Sequence, residues 1–119
     1  AIMGLGPVHA MTPILQRQNL SLDDIDLLEI NEAFAAQVLA CIQAWDNESY
    51  CQKELGLAHK LGLVSMEKLN PDGGAIAIGH PVGASGARIV LHALKHLHKH
   101  QKNKALASLC IGGGQGGAI

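Results

Sequence analysis

Apolar side chains at Phe34, Val38, Ile42 and Trp45 recur every three or four residues, which predicts a helix from Glu32 to Trp45 with one apolar face. Ile89, Val90, Ala93, Leu94 and Leu97 repeat the pattern and predict a second helix from Ser85 to about His100. Two runs are short and continuously apolar instead, LLEI at 27–30 and the stretch from Lys104 to Ile111, and both read as strands. Nearer the start, Thr12-Pro13 has the form of an N-cap followed by proline at the first helical position, opening a short helix through Ile14, Leu15 and Arg17. Ser21 is placed to cap the turn SLDDI, and Asn31 ends the strand at 27–30 where the next helix would take its N-cap.

The remaining segments are less regular. Residues 46–69 begin polar (DNESYCQKE) and then carry a weaker helical pattern at Leu55, Leu57, Leu61 and Leu63, an excursion from the main layer. NPDGGAIAIGHPVGASG is loop-like at both ends, with an apolar, strand-like middle. Gly113 to Gly116 predicts a tight reversal, and Gly117-Ala118-Ile119 opens a further strand. A strand of three residues leads to the expectation that the chain is cut from a longer one.

Strand, helix, strand-like loop, helix, strand is the order of an α/β layered fold in which helices cover a mixed β-sheet. In such sheets the loops at the carboxyl ends of the strands gather at one edge, where ligands bind. Asn31, His80 and Cys110 all fall in or beside such loops.

Composition narrows the function. Nine Lys+Arg stand against ten Asp+Glu, and Phe34, Trp45 and Tyr50 are the only aromatics, so neither a basic patch nor stacking platforms for nucleic acid are expected. No apolar run approaches the ~18 residues of a membrane span, and AIMGLGPVHAM lacks the basic start of a signal peptide; a soluble, cytoplasmic protein is expected. Cys41, Cys51 and Cys110 are odd in number and fit neither a disulfide framework nor a paired metal site, which favours a reducing compartment. Ten of the 14 glycines lie between Gly73 and Gly117, concentrating close backbone approaches in the last third.

Each candidate has two readings. An N-cap role explains Asn31 fully, yet an asparagine in that loop can also hold a water or a carbonyl. His80 is presented from a restricted loop, because Gly79 permits close approach and Pro81 forces the histidine backbone to extend. Cys110 can be a small buried hydrophobe, but five glycines in the six residues from Gly112 to Gly117 expose backbone N–H groups and clear space for an acyl group. A phosphate cradle would need a helix after the glycines, and the sequence heads into a strand. His92, His96 and His100 share a helix face at metal-binding intervals. With no carboxylate or cysteine evidently placed to complete a site, and with Lys95, Lys99 and Lys102 nearby, they read as a solvated face and no metal is expected.

NEAFAAQ (31–37), GGAIAIGHPVGASGAR (73–88) and CIGGGQG (110–116) together resemble three stretches of the C-terminal half of a thiolase, an acetyl-CoA acetyltransferase or 3-ketoacyl-CoA thiolase, and MGLGP (3–7) resembles a fourth. The resemblance runs in order along nearly the whole chain. It implies a thiolase-like fold and a role for each loop. His80 would activate a nucleophilic cysteine and form the first oxyanion hole with a water held by Asn31. Cys110 would be the acid/base that moves the α-proton of the acyl group. Gly112 would give its backbone N–H to the second oxyanion hole, and Met3 and Phe34 would line the pocket for pantetheine and acyl chain. The implied substrates are acyl-CoA and CoA, with no other cofactor, and the implied partners are the N-terminal thiolase domain and further copies in a homodimer or homotetramer.

Two departures qualify these expectations. The nucleophilic cysteine belongs to the family's N-terminal half, and neither Cys41 nor Cys51 lies in a matching motif, so the chain alone is expected to be inactive. The segment at 46–66 is longer than in compact biosynthetic members and reads as an insertion. A condensing enzyme of the ketoacyl-synthase type is disfavoured, since that group lacks the second cysteine found here as Cys110. A non-catalytic domain that binds acyl-CoA or mediates dimerisation is the remaining alternative.

Overall fold

The computed structural model describes residues 2–119. In order the elements are α1 (Gly6–Gln18), β1 (Leu27–Ile30), α2 (Ala35–Asp46), α3 (Glu48–Leu55), α4 (Ala75–Ile78), α5 (Ser85–His100), β2 (Ala105–Ile111), a 3-10 turn (Gly112–Gly114) and β3 (Gln115–Ala118). They form a mixed sheet of order β1-β2-β3. β1 and β2 run parallel from Leu27↔Ala105 to Ile30↔Ser108, and β2 and β3 run antiparallel from Ser108↔Ala118 to Ile111↔Gln115. Helix α1 packs on β3 and β2, and α5 packs on β2 and β1. The expected α/β architecture, with helices covering a mixed sheet, is therefore present.

All four residues of β1 are buried, as its unbroken apolar pattern requires, and so is the one charged member, Glu29. The core joins Val8, Met11 and Leu15 of α1 to Leu28 and Ile30 of β1, Val38, Cys41 and Trp45 of α2, and Leu106 of β2. Burying each large aliphatic side chain there contributes about 1.5–3 kcal/mol. No helix among the described residues is long and apolar enough to cross a membrane.

Several local expectations are corrected. Helix α1 begins at Gly6-Pro7, so Thr12 and Pro13 lie inside it. Thr12 caps nothing: its hydroxyl donates to Val8 O at 2.7 Å and accepts from the Trp45 indole N–H at 3.1 Å, which pins α1 to α2. Helix α2 starts three residues later than expected, with Phe34 at its N-cap in extended backbone and 66% exposed, so Phe34 leaves the buried face that Val38 and Trp45 form. The helical pattern expected at Leu55, Leu57, Leu61 and Leu63 does not form a helix; the polar stretch before it does, as α3, which ends at Leu55 with Gly56 in the left-handed conformation. The segment then folds back through Lys60 N–H to Glu48 Oε2 at 2.7 Å and Gly62 N–H to Trp45 O at 3.0 Å. The strand-like AIAI is a single helical turn, α4.

Candidate active site

The end of β1 delivers Asn31 to the sheet edge. Its backbone N–H donates to Ser108 O at 2.9 Å, one step beyond the last β1–β2 pair, and only 2% of the residue is exposed. It is not the N-cap of α2, which lies at Phe34. Burying an amide without using its polar atoms is costly, so its partners matter. Asn31 Nδ2 lies 3.4 Å from His80 Nε2, while Asn31 Oδ1 is buried with no partner among the described residues. Asn31 also borders a cavity of about 120 Å³ lined by Gly74, Ile78, Arg88 and His92.

His80 reaches Asn31 because a braced loop carries it there. Asn70 sits at φ 44 and clamps β1, accepting from Ile30 N–H at 2.9 Å and donating to Ile30 O at 2.8 Å. Glu32 accepts from Asn70 Nδ2 at 3.1 Å and from Ile76 N–H at 3.1 Å, which winds AIAI into α4. Gly74 packs so tightly on the Glu32 carboxylate that a Cβ there would collide with it. Gly79 then adopts φ 91, and its carbonyl accepts from the Arg88 guanidinium at 2.9 Å.

The far side of the His80 ring meets Ser85, the first residue of α5. His80 Nδ1 stands 2.7 Å from Ser85 Oγ, which itself lies 3.2 Å from Pro81 O. Asn31 Nδ2 can only donate, so Nε2 is the accepting nitrogen and the ring proton sits on Nδ1, where it donates to the Ser85 hydroxyl oxygen. That tautomer leaves Nε2 as a free base facing Asn31. In the sequence Ser85 reads only as a helix start, and a serine five residues after His80 is the signal that points to this role.

Cys110 lies on β2, two residues past Ser108 and on the same side of the strand, partly buried and paired in register with Gly116. No hydrogen bond among the described residues joins it to Asn31 or His80. Asn31 and His80 thus touch, whereas Cys110 is placed near them only by the strand register. Gly112 is exposed at the start of the 3-10 turn, where an added Cβ would meet nothing within 4 Å. Gly116 has a different reason to be glycine, because a Cβ there would run into the backbone of Gly6 as α1 crosses β3. Met3 is exposed beside Gly4, whose Cα faces Gln37 of α2, and so stands at the same end of α2 as Phe34.

Cys41 and Cys51 are fully buried. Burial pushes the Cys41 thiol up to about 11, against the lowering effect of hydrogen bonds from Gln37 and Val8. The helix-face histidines depart from expectation. His92 meets Glu29 of β1 and Asp72 of the loop before α4, and His96 meets the same Asp72, so carboxylates are placed there after all. Burial raises the Glu29 carboxyl above its ordinary value, opposed by His92.

The family described as "Thiolase, C-terminal domain" matches residues 1–119. Acetyl-CoA acetyltransferase of Syntrophomonas wolfei is 49% identical over 119 residues, all of this chain and 26% of that protein. Beta-ketoadipyl-CoA thiolase of Pseudomonas aeruginosa is 48% identical over 118 residues, 99% of this chain and 26% of that protein. The crystal structure of human mitochondrial 3-ketoacyl-CoA thiolase in complex with CoA superposes with a TM-score of 0.79 at 43% identity, covering 97% of this chain and 25% of that one. The chain thus spans about a quarter of the length of the relatives it matches. It belongs to the thiolase family and corresponds to that family's C-terminal domain.

Proposed function

We propose that this chain is part of a thiolase that transfers an acyl group between a cysteine thioester and CoA, by thiolysis of a 3-ketoacyl-CoA or by condensation of acetyl-CoA. The observation that carries the reading is the braced Asn31–His80 pair with its free Nε2. In this reading a nucleophilic cysteine lies in an N-terminal half. His80 Nε2 takes its proton, favouring the thiolate. The resulting Nε2–H then stabilises the oxygen of the thioester together with a water held at Asn31, where the unpaired Oδ1 and the adjoining cavity offer an acceptor and room.

Cys110 acts second, removing the α-proton of one acyl group so that its carbon attacks the acyl-cysteine, or returning that proton during thiolysis. Negative charge then develops on the thioester oxygen, and the backbone N–H of Gly112 is the proposed donor; such a donor is typically worth ~3–4 kcal/mol. Met3 and Phe34, both largely exposed in this chain, line the proposed groove for pantetheine and acyl chain. CoA thioesters are the substrates and no further cofactor is invoked.

The N-terminal half is the proposed partner for apolar side chains left exposed around α4 and α5, including Ile78, Val82, Leu91 and Leu94. The full-length protein is proposed to assemble as a homodimer or homotetramer, with residues 46–66 as an insertion, and to act in the cytoplasm, a compartment that suits three free cysteines. Thiolysis of acetoacetyl-CoA by CoA tests the reading. The full-length protein should catalyse it and the isolated chain should not; preference for free acids over CoA thioesters contradicts it.

A further inference from the structure

Two imidazoles and two carboxylates converge where α5 faces β1 and the loop before α4, with Glu29, Asp72 and His92 lining the same cavity that Asn31 borders. We propose that Asp72, His92 and His96 form a binding site for a divalent transition-metal ion of the zinc class, with Glu29 fixing the ring of His92. His92 and His96 are one helical turn apart on one face, the i, i+4 spacing that lets two imidazoles share an ion. Asp72 Oδ2 lies 2.9 Å from His92 Nε2 and 2.9 Å from His96 Nδ1, and the three atoms all lie within 4.8 Å of one another. A tetrahedral zinc with bonds of about 2.0–2.1 Å separates its ligand atoms by roughly 3.3 Å, so modest side-chain adjustment brings all three into one shell. The fourth position is left to water.

Glu29 distinguishes this cluster from a surface ion pair. Its carboxylate lies on β1, 63 residues before His92 in the chain, is buried, and accepts from His92 Nδ1 at 2.7 Å. A carboxylate behind a histidine fixes the ring through Nδ1 and here turns Nε2 toward Asp72, the arrangement that metal-ligating histidines almost always have. His96 is likewise confined, with its side chain 14% exposed and its ring tilted by 38° against that of His100 at 4.3 Å between centroids. Two imidazoles with one carboxylate suit zinc, and disfavour magnesium or calcium, which take oxygen shells. A bound ion ties the loop that carries Asp72 to α5.

Titration of metal-free full-length protein with ZnCl2, followed by calorimetry and by thermal melting, tests the proposal. One ion per chain is expected, with a rise in Tm that MgCl2 does not reproduce. Asp72→Asn and His96→Ala should abolish binding, and Glu29→Gln should weaken it ~10–100-fold, the usual effect of losing the group behind a ligand. His59→Ala, at an exposed histidine that pairs with Glu48 of α3 and has no part in the cluster, should bind as wild type does. Metal-free melts establish that each variant is folded. No binding by wild type, or equal binding by a folded Asp72→Asn/His96→Ala double variant, overturns the site; unchanged affinity in folded Glu29→Gln overturns the role given to Glu29.

Discussion

His80 is held from behind by Ser85, whose buried hydroxyl lies 2.7 Å from Nδ1 and leaves Nε2 free toward Asn31. In the proposed cycle Ser85 touches no substrate and positions the base. Ser85→Ala removes the acceptor for Nδ1–H and leaves the ring free to take the other tautomer. The acylation rate of the full-length protein should fall ~10–100-fold with KM for acetyl-CoA little changed. A rise in KM with the acylation rate unaltered indicates that Ser85 shapes binding instead.

Gly116 and Gly6 meet backbone to backbone where α1 crosses β3. Gly116→Ala forces these elements apart and is predicted to destabilise the fold by about 3 kcal/mol through overpacking. Gly112→Ala meets open space in this chain and should cost far less. Denaturant melts of the two variants in the full-length protein check the difference.

Cys41 and Cys51 are buried, and the Cys41 thiol is pushed up to about 11, so at pH 8 neither offers iodoacetamide an accessible thiolate. Brief alkylation of native protein should spare both, and alkylation after unfolding should label both. Rapid native labelling of Cys41 contradicts the burial described here.

Asp26 accepts from Asn103 N–H at 3.0 Å and from Lys104 N–H at 3.0 Å, joining the starts of β1 and β2. These backbone hydrogen bonds lower its pKa below the ordinary 3.8. A depressed folded-state value means that the contribution is complete above the unfolded pKa and is lost as pH falls through the folded one. Asp26→Asn should therefore lower stability at neutral pH and flatten its decline below pH ~4, as urea melts across that range would show.

Elements whose pattern is local were legible in the sequence. The apolar run LLEI, the repeat from Ile89 to Leu97 and the run before Cys110 gave β1, α5 and β2 within a residue. The errors arose where a distant partner decides. Thr12-Pro13 imitates a helix start, but Thr12 is held inside α1 by the indole of Trp45, 33 residues away. AIAI reads as strand-like, but Glu32, 44 residues before Ile76, accepts the Ile76 N–H and holds it in a helical turn. At the site, His80, Asn31 and Cys110 were picked out by motif, whereas Ser85 and the pairing of Glu29 with His92 depend on how α5 seats against its neighbours.

In the proposed cycle His80 and Cys110 serve different steps. Transfer of an acetyl group onto the nucleophilic cysteine needs His80 and the oxyanion donors but no α-proton removal. Cys110→Ser nearly preserves size and backbone while replacing a thiol with a far weaker acid. Measured in the full-length protein with radiolabelled acetyl-CoA, Cys110→Ser should still become acetylated while condensation falls by at least ~100-fold, and His80→Ala should lose acetylation itself. Condensation by Cys110→Ser at near the wild-type rate would contradict the account and return Cys110 to a packing role.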